Sequence, residues 1–358
     1  MAAGRKKTIV VNEIGYRNRV IVAGVASTGI KKRMRELGHK VIEYKGSERE
    51  NFLLRNRHFQ VYEDYLNFCE EVDADIAFIE SIICPEHLLA DLEVKKDFKP
   101  RISFLSTFRE PARSLSRANV FKRLIENKYV KKAGMISMLG NKIDPPSYWK
   151  ELKIDPKKYI FMSEPLITEI HDTEDIPLIE DIEIPKNKKV GLFFGRDELS
   201  KGLEDLCKAM DLINDDVHIL IVAHGGGYTE ERAFEMEKEN SSVVYRIIGD
   251  DEIKSVYSKC DFVIMPYRKS YEYGGSGILK IAVDFNLPVI VPNLYPFNEI
   301  IDLFKIGYTF ESEDERSLAN TVDRMSSSLD EVKKNADFSG YEAILNTYDD
   351  LADMVLED

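Results

Sequence analysis

Short runs of β-branched and apolar residues alternate with longer amphipathic segments along the whole chain. In the first half these runs predict strands at Thr8–Val11, Val20–Val25, Lys40–Tyr44, Ile76–Ile82, Ile102–Ser106 and Gly134–Met138. A second series predicts strands at Val190–Phe194, His218–Ala223, Val243–Ile247, Phe262–Met265 and Pro288–Val291. Strands separated by helical patterns are typical of parallel sheets built from βα units. The pattern therefore predicts an α/β protein with two doubly wound sheets.

The length of 358 residues is more than one hydrophobic core usually serves, which favours two domains. The stretch from Thr168 to Lys189 is rich in Asp, Glu, Ile and Pro and has few apolar positions at helical spacing, which is typical of a linker. We predict an N-terminal domain at 1–167, a linker at 168–188 and a C-terminal domain at 189–338.

The net charge of -13 is divided unequally between the halves. Residues 1–150 hold 28 Lys and Arg against 19 Asp and Glu, whereas the remainder holds 22 against 44. Much of the basic surplus falls at Lys31–Arg35 and between Arg109 and Lys132. A solvated helix face is the expected interpretation, and attraction to an anionic lipid or acceptor is the alternative. Nucleic acid is disfavoured because aromatic residues do not alternate with the basic ones.

No apolar segment is long enough for a signal peptide or a membrane span, so we expect a cytoplasmic protein. The four cysteines are far apart and have no metal-binding spacing, which favours reduced thiols. They are Cys69, Cys84, Cys207 and Cys260.

The segment Gly191–Leu206 reads as a strand, a turn and a helix, with two cations beside the turn. Gly195 and Arg196 end the strand, and Lys201 and Gly202 precede the helix. Free N–H groups at a helix N-terminus, together with an arginine and a lysine, can bind a diphosphate and stabilise its charge as it leaves. An ordinary surface loop with two cations is the alternative.

A second cluster of glycine and serine precedes an apolar helix within Tyr271–Asn293. Gly274, Gly275, Ser276 and Gly277 allow close approach of the backbone to an anion. Glu272, just before them, is placed to face a sugar attached to that anion. A tight loop without a ligand would produce the same local pattern.

The two segments together resemble the C-terminal half of family 4 glycosyltransferases, of the glycosyltransferase group 1 type. Further resemblance lies in Y-S-K-C-D-F-V-I-M-P, N-L-P-V-I and F-N-E-I-I, which begin at Tyr257, Asn286 and Phe297. The end of the chain, from Ala336, resembles the family's F-S-W region, from which the last helix crosses back to the N-terminal lobe. In the first half, Gly24–Gly29 resemble the first strand-to-helix loop.

The resemblance implies the GT-B fold, in which two Rossmann-like domains face each other across a cleft and a final helix, here 339–358, packs on the N-terminal domain. It implies retaining transfer of a hexose-type sugar from a UDP- or GDP-sugar to a glycan, lipid-linked or other hydroxyl, without metal or cofactor. The implied N-terminal domain binds the acceptor. In the alternative interpretation of its basic surplus, this domain also contacts the anionic cytoplasmic membrane face peripherally. Arg196 and Lys201 would hold the diphosphate and Glu272 the sugar. The implied donor contacts are Gly195, Gly274, Gly275, Ser276, Gly277, Ile278, Lys280, Glu299 and Gly29.

The chain departs from the family's pattern of two glutamates with seven residues between them. Counting back from Pro288 places Tyr273 and Ile281 in those two positions. Ribose recognition then falls to Lys280, Glu299 or backbone groups. The histidine that many relatives carry after the fourth strand is also absent, since the chain reads Thr107-Phe108-Arg109 there. Among the remaining histidines, His224 is expected to be a solvated loop residue.

These departures motivate a rival hypothesis, a catalytically inactive homologue that binds nucleotide sugar or stabilises an active transferase as a structural subunit. Retention of Arg196 and Lys201 argues against the loss of phosphate binding. A sugar-nucleotide epimerase or a phosphorylase on the same fold is a second alternative. The first would need a histidine and acids that the sequence does not show, and the second a much longer chain.

Overall fold

The computed structural model describes residues 6–12, 22–46, 62–80, 82, 84–163, 184–185, 187–225 and 237–357. The chain divides into two compact units. The N-terminal unit comprises Met1–Pro165 and Leu345–Asp358, and the C-terminal unit comprises Leu166–Ile344. Most of the linker predicted at 168–188 lies outside the described residues.

In its described part, the N-terminal unit contains a six-stranded parallel sheet in the order β2-β1-β3-β4-β5-β6. Buried β-branched and aromatic side chains such as Ile9, Val11, Ile76 and Phe78 lie in its core. Its elements are β1 (Thr8–Asn12), α1 (Val22–Glu36), β2 (Lys40–Tyr44), α2 (Glu63–Glu71), β3 (Ile76–Ile79), α3 (Pro85–Val94), β4 (Arg101–Thr107), α4 (Arg109–Ala112), α5 (Leu115–Glu126), β5 (Val130–Ile136), α6 (Ser147–Glu151) and β6 (Tyr159–Met162).

The described part of the C-terminal unit contains a second six-stranded parallel sheet, in the order β12-β11-β10-β7-β8-β9. Its elements are β7 (Lys189–Arg196), α7 (Leu203–Ala209), β8 (Val217–His224), β9 (Ser241–Tyr245), α8 (Asp250–Ser258), β10 (Phe262–Ile264), α9 (Gly277–Asp284), β11 (Val289–Pro292), α10 (Phe297–Phe304), β12 (Gly307–Phe310), α11 (Glu315–Asn335) and α12 (Phe338–Glu342).

The long helix α11 shows how local sequence and packing agree in this unit. Asp314 caps it by accepting a hydrogen bond from the backbone N–H of Ser317, which satisfies one of the free donors of the first turn. Leu318, Val322 and Met325 recur at helical spacing and are fully buried against the sheet. Helix and sheet thereby share one continuous core.

The last helix of the chain, α13 (Tyr348–Leu356), packs within the N-terminal unit rather than beside the residues that precede it. It lies against α1, and Leu351 and Val355 join the apolar core of that unit. The side chain of Asn346 accepts a hydrogen bond of 2.7 Å from the N–H of Ser163. An ion pair of 2.5 Å joins Arg33 to Asp349.

The structure overturns one strand prediction. Val20–Val25 was expected to be a strand and Gly24–Gly29 a loop, but α1 begins at Val22 and includes Gly29. A continuous apolar run such as the one in this stretch fits a buried strand or a buried helix, and packing against α13 selects the helix. Two described strands, β6 and β12, were not predicted from the sequence.

Many basic residues of α1 and α5 are paired with carboxylates of the same unit. The pairs are Lys31 and Arg35 with Glu43, Arg33 with Asp349, Arg117 with Glu86 and Glu110, Lys122 with Glu126, and Arg123 with Glu93. Most of these side chains are partly solvent-exposed, so the pairs contribute little to stability, but they neutralise much of the local surplus. This arrangement favours the solvated-face interpretation of the basic runs.

All four cysteines are free thiols. Burial raises the pKa of Cys69 to about 12 and that of Cys207 to about 11, so both thiols are protonated at neutral pH. Among the described residues, the structure has no helix of the length and apolarity needed to cross a bilayer.

Candidate functional site

The strand order of the C-terminal sheet creates a switch point between β7 and β10. From β7 the chain proceeds to β8 and β9 on one side, and then returns to β10, β11 and β12 on the other. Connections that leave two neighbouring parallel strands in opposite directions open a crevice at their carboxyl ends, where α/β proteins bind ligands. The residues that follow β7 and β10 therefore lie at the edge of the sheet where a ligand is expected.

Gly195 and Arg196 end β7 at this edge. Gly195 has φ +139° and open space where a side chain would begin. Arg196 forms an ion pair of 3.1 Å with Glu198 and donates a hydrogen bond of 3.3 Å to the carbonyl of Gly225. Both charged side chains are 43% exposed, so this pair is weak and Arg196 can turn towards an anion at little cost.

Lys201 and Gly202 form the turn that leads into α7. Gly202 has φ +69°, and a Cβ atom there would lie 1.8 Å from the carbonyl oxygen of Pro266. Only glycine fits this close approach of two backbones. The turn therefore presses the chain after β7 against the chain after β10 and places Lys201 at the switch point.

The ammonium group of Lys201 lies over two tyrosine rings. Its Nζ atom is 4.0 Å from the ring centre of Tyr267 and 4.3 Å from that of Tyr271, and it donates a hydrogen bond of 2.9 Å to the Tyr271 hydroxyl. Burial acts to lower the pKa of Lys201, but its interactions with the two tyrosines outweigh burial and raise the pKa above its usual value. Lys201 is therefore a fixed positive charge at neutral pH.

Arg268, which follows β10 in the chain, stabilises the same turn. Its guanidinium group donates two hydrogen bonds, of 2.6 and 2.8 Å, to the carboxylate of Asp205, and its backbone N–H donates to the carbonyl of Ser200. The hydrogen bonds that Arg268 donates to Asp205 raise the pKa of Arg268 further. Paired contacts of this kind are geometrically specific, so they hold the Lys201 turn in place.

The glycine-rich turn ends in a capped helix. The Ser276 side chain is buried and accepts a hydrogen bond of 3.3 Å from the N–H of Leu279, which caps α9. Gly274 lies against the ring of Tyr271, whereas Gly275 has open space at its Cβ position. The N-terminus of α9 begins at Gly277, so its free N–H groups and partial positive charge lie next to this open turn.

Not all of the predicted donor contacts have the same surroundings. Glu272 and Glu299 are exposed, as an interaction with a ligand requires, whereas Ile278 and Lys280 are buried within α9. Gly277 is half-buried at the first position of the helix.

The two positions that correspond to the family's glutamates hold other structures. Tyr273 has a left-handed backbone, with φ +58°, donates its N–H to the carbonyl of Tyr295, and lies with its ring 4.9 Å from that of Tyr295. Ile281 is 1% exposed and belongs to the buried face of α9. The backbone strain at Tyr273, of order 1 kcal/mol, marks this turn as one that the surrounding structure enforces.

His224 differs from the solvated residue that was expected. It is the last residue of β8, opposite Arg196 in the strand register, and is half-buried. Burial and then the neighbouring Arg196 lower the pKa of His224, so the ring is neutral at neutral pH. Gly226 and Gly227 lie outside the described residues.

Gly29 lies in the N-terminal unit, inside α1 and not in the loop expected there. A Cβ atom at Gly29 would lie 2.5 Å from the ring of Tyr348. The glycine thus allows α1 and α13 to pack closely. Close packing of the two helices is thus sufficient to explain a glycine at this position, and no ligand needs to be invoked.

Four residues of the site were missed by sequence reasoning: Tyr267, Tyr271, Asp205 and Arg268. The position of the two tyrosines is the signal that could have found them. Both follow β10 at the switch point, four residues apart, and Tyr271 is the last residue of the single turn Lys269–Tyr271. Their contact with Lys201 joins residues about 70 positions apart, which no local pattern reveals.

Comparison with known proteins agrees with this description of the C-terminal unit. Residues 176–341 match the family model described as glycosyl transferases group 1 and therefore carry a domain of that type. An uncharacterized glycosyltransferase of Methanocaldococcus jannaschii is 28% identical over 156 residues, which are 42% of this chain and 39% of that relative. The chain thus matches well under half the length of that relative.

Solved structures match the whole chain in fold. A glycosyltransferase from Rickettsia africae has a TM-score of 0.67 at 16% identity, covering 99% of this chain and 100% of that one. HepE of Anabaena in complex with UDP-glucose has a TM-score of 0.66 at 13% identity, covering 98% of each chain. The sucrose-phosphate synthase of Thermosynechococcus elongatus also has a TM-score of 0.66, at 13% identity, covering 97% of this chain and 96% of that one. The two Rossmann-like units thus have the GT-B fold.

Proposed function

We propose that this chain is a glycosyltransferase whose C-terminal unit binds the diphosphate of a nucleotide-sugar donor. The observation that carries the proposal is the charged Lys201, held at the carboxyl ends of β7 and β10 by two tyrosine rings. The capped N-terminus of α9 and the glycine-rich turn adjoin it through Tyr271. A diphosphate bound here would meet a fixed cation and free N–H groups.

Two further observations support a nucleotide sugar as the ligand. The matched domain type is that of group 1 glycosyl transferases, and a structure of similar fold, HepE, was solved with UDP-glucose. We propose a UDP- or GDP-linked hexose as the donor, and a hydroxyl of a glycan or lipid-linked acceptor as its recipient. Contact of the N-terminal unit with an anionic membrane stays a prediction, which vesicle binding at rising salt would test.

In the proposed reaction, the bond between the sugar's anomeric carbon and the diphosphate oxygen breaks while the acceptor oxygen bonds to that carbon from the same face. The acceptor's proton passes to the departing diphosphate, so the configuration is retained and no protein nucleophile is required. Lys201 and Arg196 stabilise the charge that develops on the diphosphate. Glu272, exposed before the glycine-rich turn, is proposed to orient the sugar hydroxyls.

One observation favours a second candidate, a homologue that binds nucleotide sugar without transferring it. Neither Tyr273 nor Ile281 supplies a carboxylate where the family has its glutamates, and Ile281 is buried. Such a protein would keep the diphosphate site and act as a subunit of an active transferase. The two candidates predict the same donor binding and differ in turnover.

The first experiment measures binding of UDP, GDP, ADP and their sugar conjugates by thermal shift and calorimetry. A ligand at 100 times its Kd should stabilise the protein by about 2.7 kcal/mol. Lys201→Ala should weaken that binding by about tenfold or more, because it removes a charge-assisted contact. Arg196→Ala should have a similar but smaller effect, since Arg196 is exposed.

Lys208 provides a matched control, because it is an exposed lysine on α7, just beyond the same turn. Lys208→Ala should bind like the wild type. Absence of any shift with all of these ligands would refute the proposed function. Binding without release of free nucleotide in the presence of acceptors would select the second candidate.

A further inference from the structure

The hydroxyl group of Tyr271 joins Lys201 to the glycine-rich turn. It accepts the hydrogen bond of 2.9 Å from Lys201 Nζ and donates one of 2.7 Å to the carbonyl of Gly275. A phenolic hydroxyl can accept and donate at the same time, which a phenylalanine ring cannot. One side chain therefore sets the spacing between the half-buried Lys201 ammonium group and the turn before α9.

The contact with Gly275 also fixes the direction of a backbone amide. In a trans peptide the C=O and the following N–H point in opposite directions. Because the Gly275 carbonyl points towards Tyr271, the N–H of Ser276 points to the other side of the peptide plane. Open space lies at the Cβ position of Gly275, so this peptide is accessible to a ligand.

A second tyrosine, Tyr267, supports the contacts that Tyr271 makes. Tyr267 is fully buried, its ring lies 4.4 Å from that of Tyr271, and its hydroxyl shares a hydrogen bond of 3.1 Å with the Ser276 side chain that caps α9. The cation, both rings, the cap and the turn thus form one connected network. Hydrogen-bonded networks of this kind maintain a single geometry better than isolated contacts do.

We propose that Tyr271 is a positioning residue that holds the Lys201 ammonium group and the glycine-rich turn at one fixed spacing for the diphosphate of the donor. This inference rests on the proposed function for its ligand. The coupling of Tyr271 to Lys201, on which the inference depends, can be measured without any ligand. Tyr271 itself is half-buried, so loss of its hydroxyl removes little packing.

The test compares Tyr271→Phe with a matched control, Tyr257→Phe. Tyr257 is a fully buried tyrosine on α8 in the same unit, and its hydroxyl has no hydrogen-bond partner among the described residues. Lys201 is followed by its rate of acylation as a function of pH, read by mass spectrometry of the peptide that contains it. Affinity for UDP, GDP and ADP is measured by calorimetry on the same proteins.

Tyr271→Phe should shift the acylation profile of Lys201 to lower pH, because burial then acts on the ammonium with less compensation. It should also weaken the tightest nucleoside diphosphate by about tenfold, since a bond to a charged group is lost and the turn is released. Tyr257→Phe should change neither quantity. A purely structural role would lower the melting temperature and leave the acylation profile unchanged.

The outcomes separate this inference from the proposed function. If the wild type binds a nucleotide, and Tyr271→Phe has the same acylation profile and the same affinity, the positioning role is overturned. The proposed function then still stands. If the wild type binds none of the three nucleotides, the proposed function fails, and the acylation profile alone decides the coupling: a shift supports it and no shift overturns it. A Tyr271→Phe protein that loses its far-UV circular dichroism also overturns the positioning role.

Discussion

Replacement of Gly202 by alanine should destabilise the C-terminal unit specifically. The residue has φ +69°, where a non-glycine residue costs about 1–2 kcal/mol. The new Cβ atom would lie 1.8 Å from the Pro266 carbonyl oxygen, so one backbone must move by more than about 1 Å. Overpacking of this kind costs about 1–3 kcal/mol. The expected loss is about 2–5 kcal/mol in the free energy of unfolding.

The sole tryptophan allows the two units to be followed separately. Trp149 is buried in the N-terminal unit, so its fluorescence reports on that unit, whereas far-UV circular dichroism reports on both. In urea, Gly202→Ala should move part of the circular dichroism transition to lower concentration and leave the Trp149 transition in place. A chain with two units requires more than a two-state fit.

Alanine substitutions at two other glycines of the site distinguish the effect of backbone strain from that of the collision between a new Cβ atom and Pro266. Gly195 has φ +139° with open space around it, so Gly195→Ala should show strain alone. Gly275 has open space and no such backbone conformation, so Gly275→Ala should be nearly neutral for stability. A Gly202→Ala protein as stable as Gly275→Ala would refute the close approach to Pro266. Equal effects at Gly202 and Gly195 would show that strain, and not the collision, is the cause.

Two further predictions concern the helix caps of the C-terminal unit. Ser276→Ala removes the cap of α9 and a hydrogen-bond partner of buried Tyr267, and should lower the free energy of unfolding by about 2 kcal/mol, measured by urea denaturation; an unchanged midpoint would contradict the cap. The hydrogen bond from Arg246 lowers the pKa of Glu252 to about 2, so its contribution is present above the unfolded carboxyl pKa of about 4.3 and is lost as pH falls towards 2. Glu252→Gln should flatten the melting temperature between these pH values, and a profile as steep as that of the wild type would exclude this source of acid sensitivity.

Comparison of β1 with the start of α1 shows how far local pattern determined the fold. Thr8–Val11 and Lys40–Tyr44 were predicted as strands and are strands, because β-branched residues in short runs favour this conformation wherever a sheet is available. Val22 and Val25 are also β-branched but belong to a helix. The difference arises from the packing of α1 against α13, more than 300 residues away in the chain.

In the candidate site, too, local sequence pattern predicted some residues, whereas only tertiary contacts revealed others. Arg196, Lys201 and the glycine-rich turn were predicted because a strand that ends in glycine, followed by cations and a helix start, is a local pattern. Their neighbours were not predictable in this way. Tyr267 and Tyr271 reach Lys201 only because β7 and β10 pair in the sheet, which brings the chain after each strand to the same edge.

By itself, the sequence determined the alternation of strands and helices, the two-sheet class, the absence of a glutamate pair and the cation-bearing turn after β7. These features depend on residue type and short spacing, which act within a few positions of the chain. Only the tertiary structure decided that Gly202 must be glycine, that Lys201 is a half-buried cation on two tyrosines, and that much of the basic surplus is neutralised by ion pairs. Each of these depends on distances between segments far apart in sequence, which only the folded chain brings together.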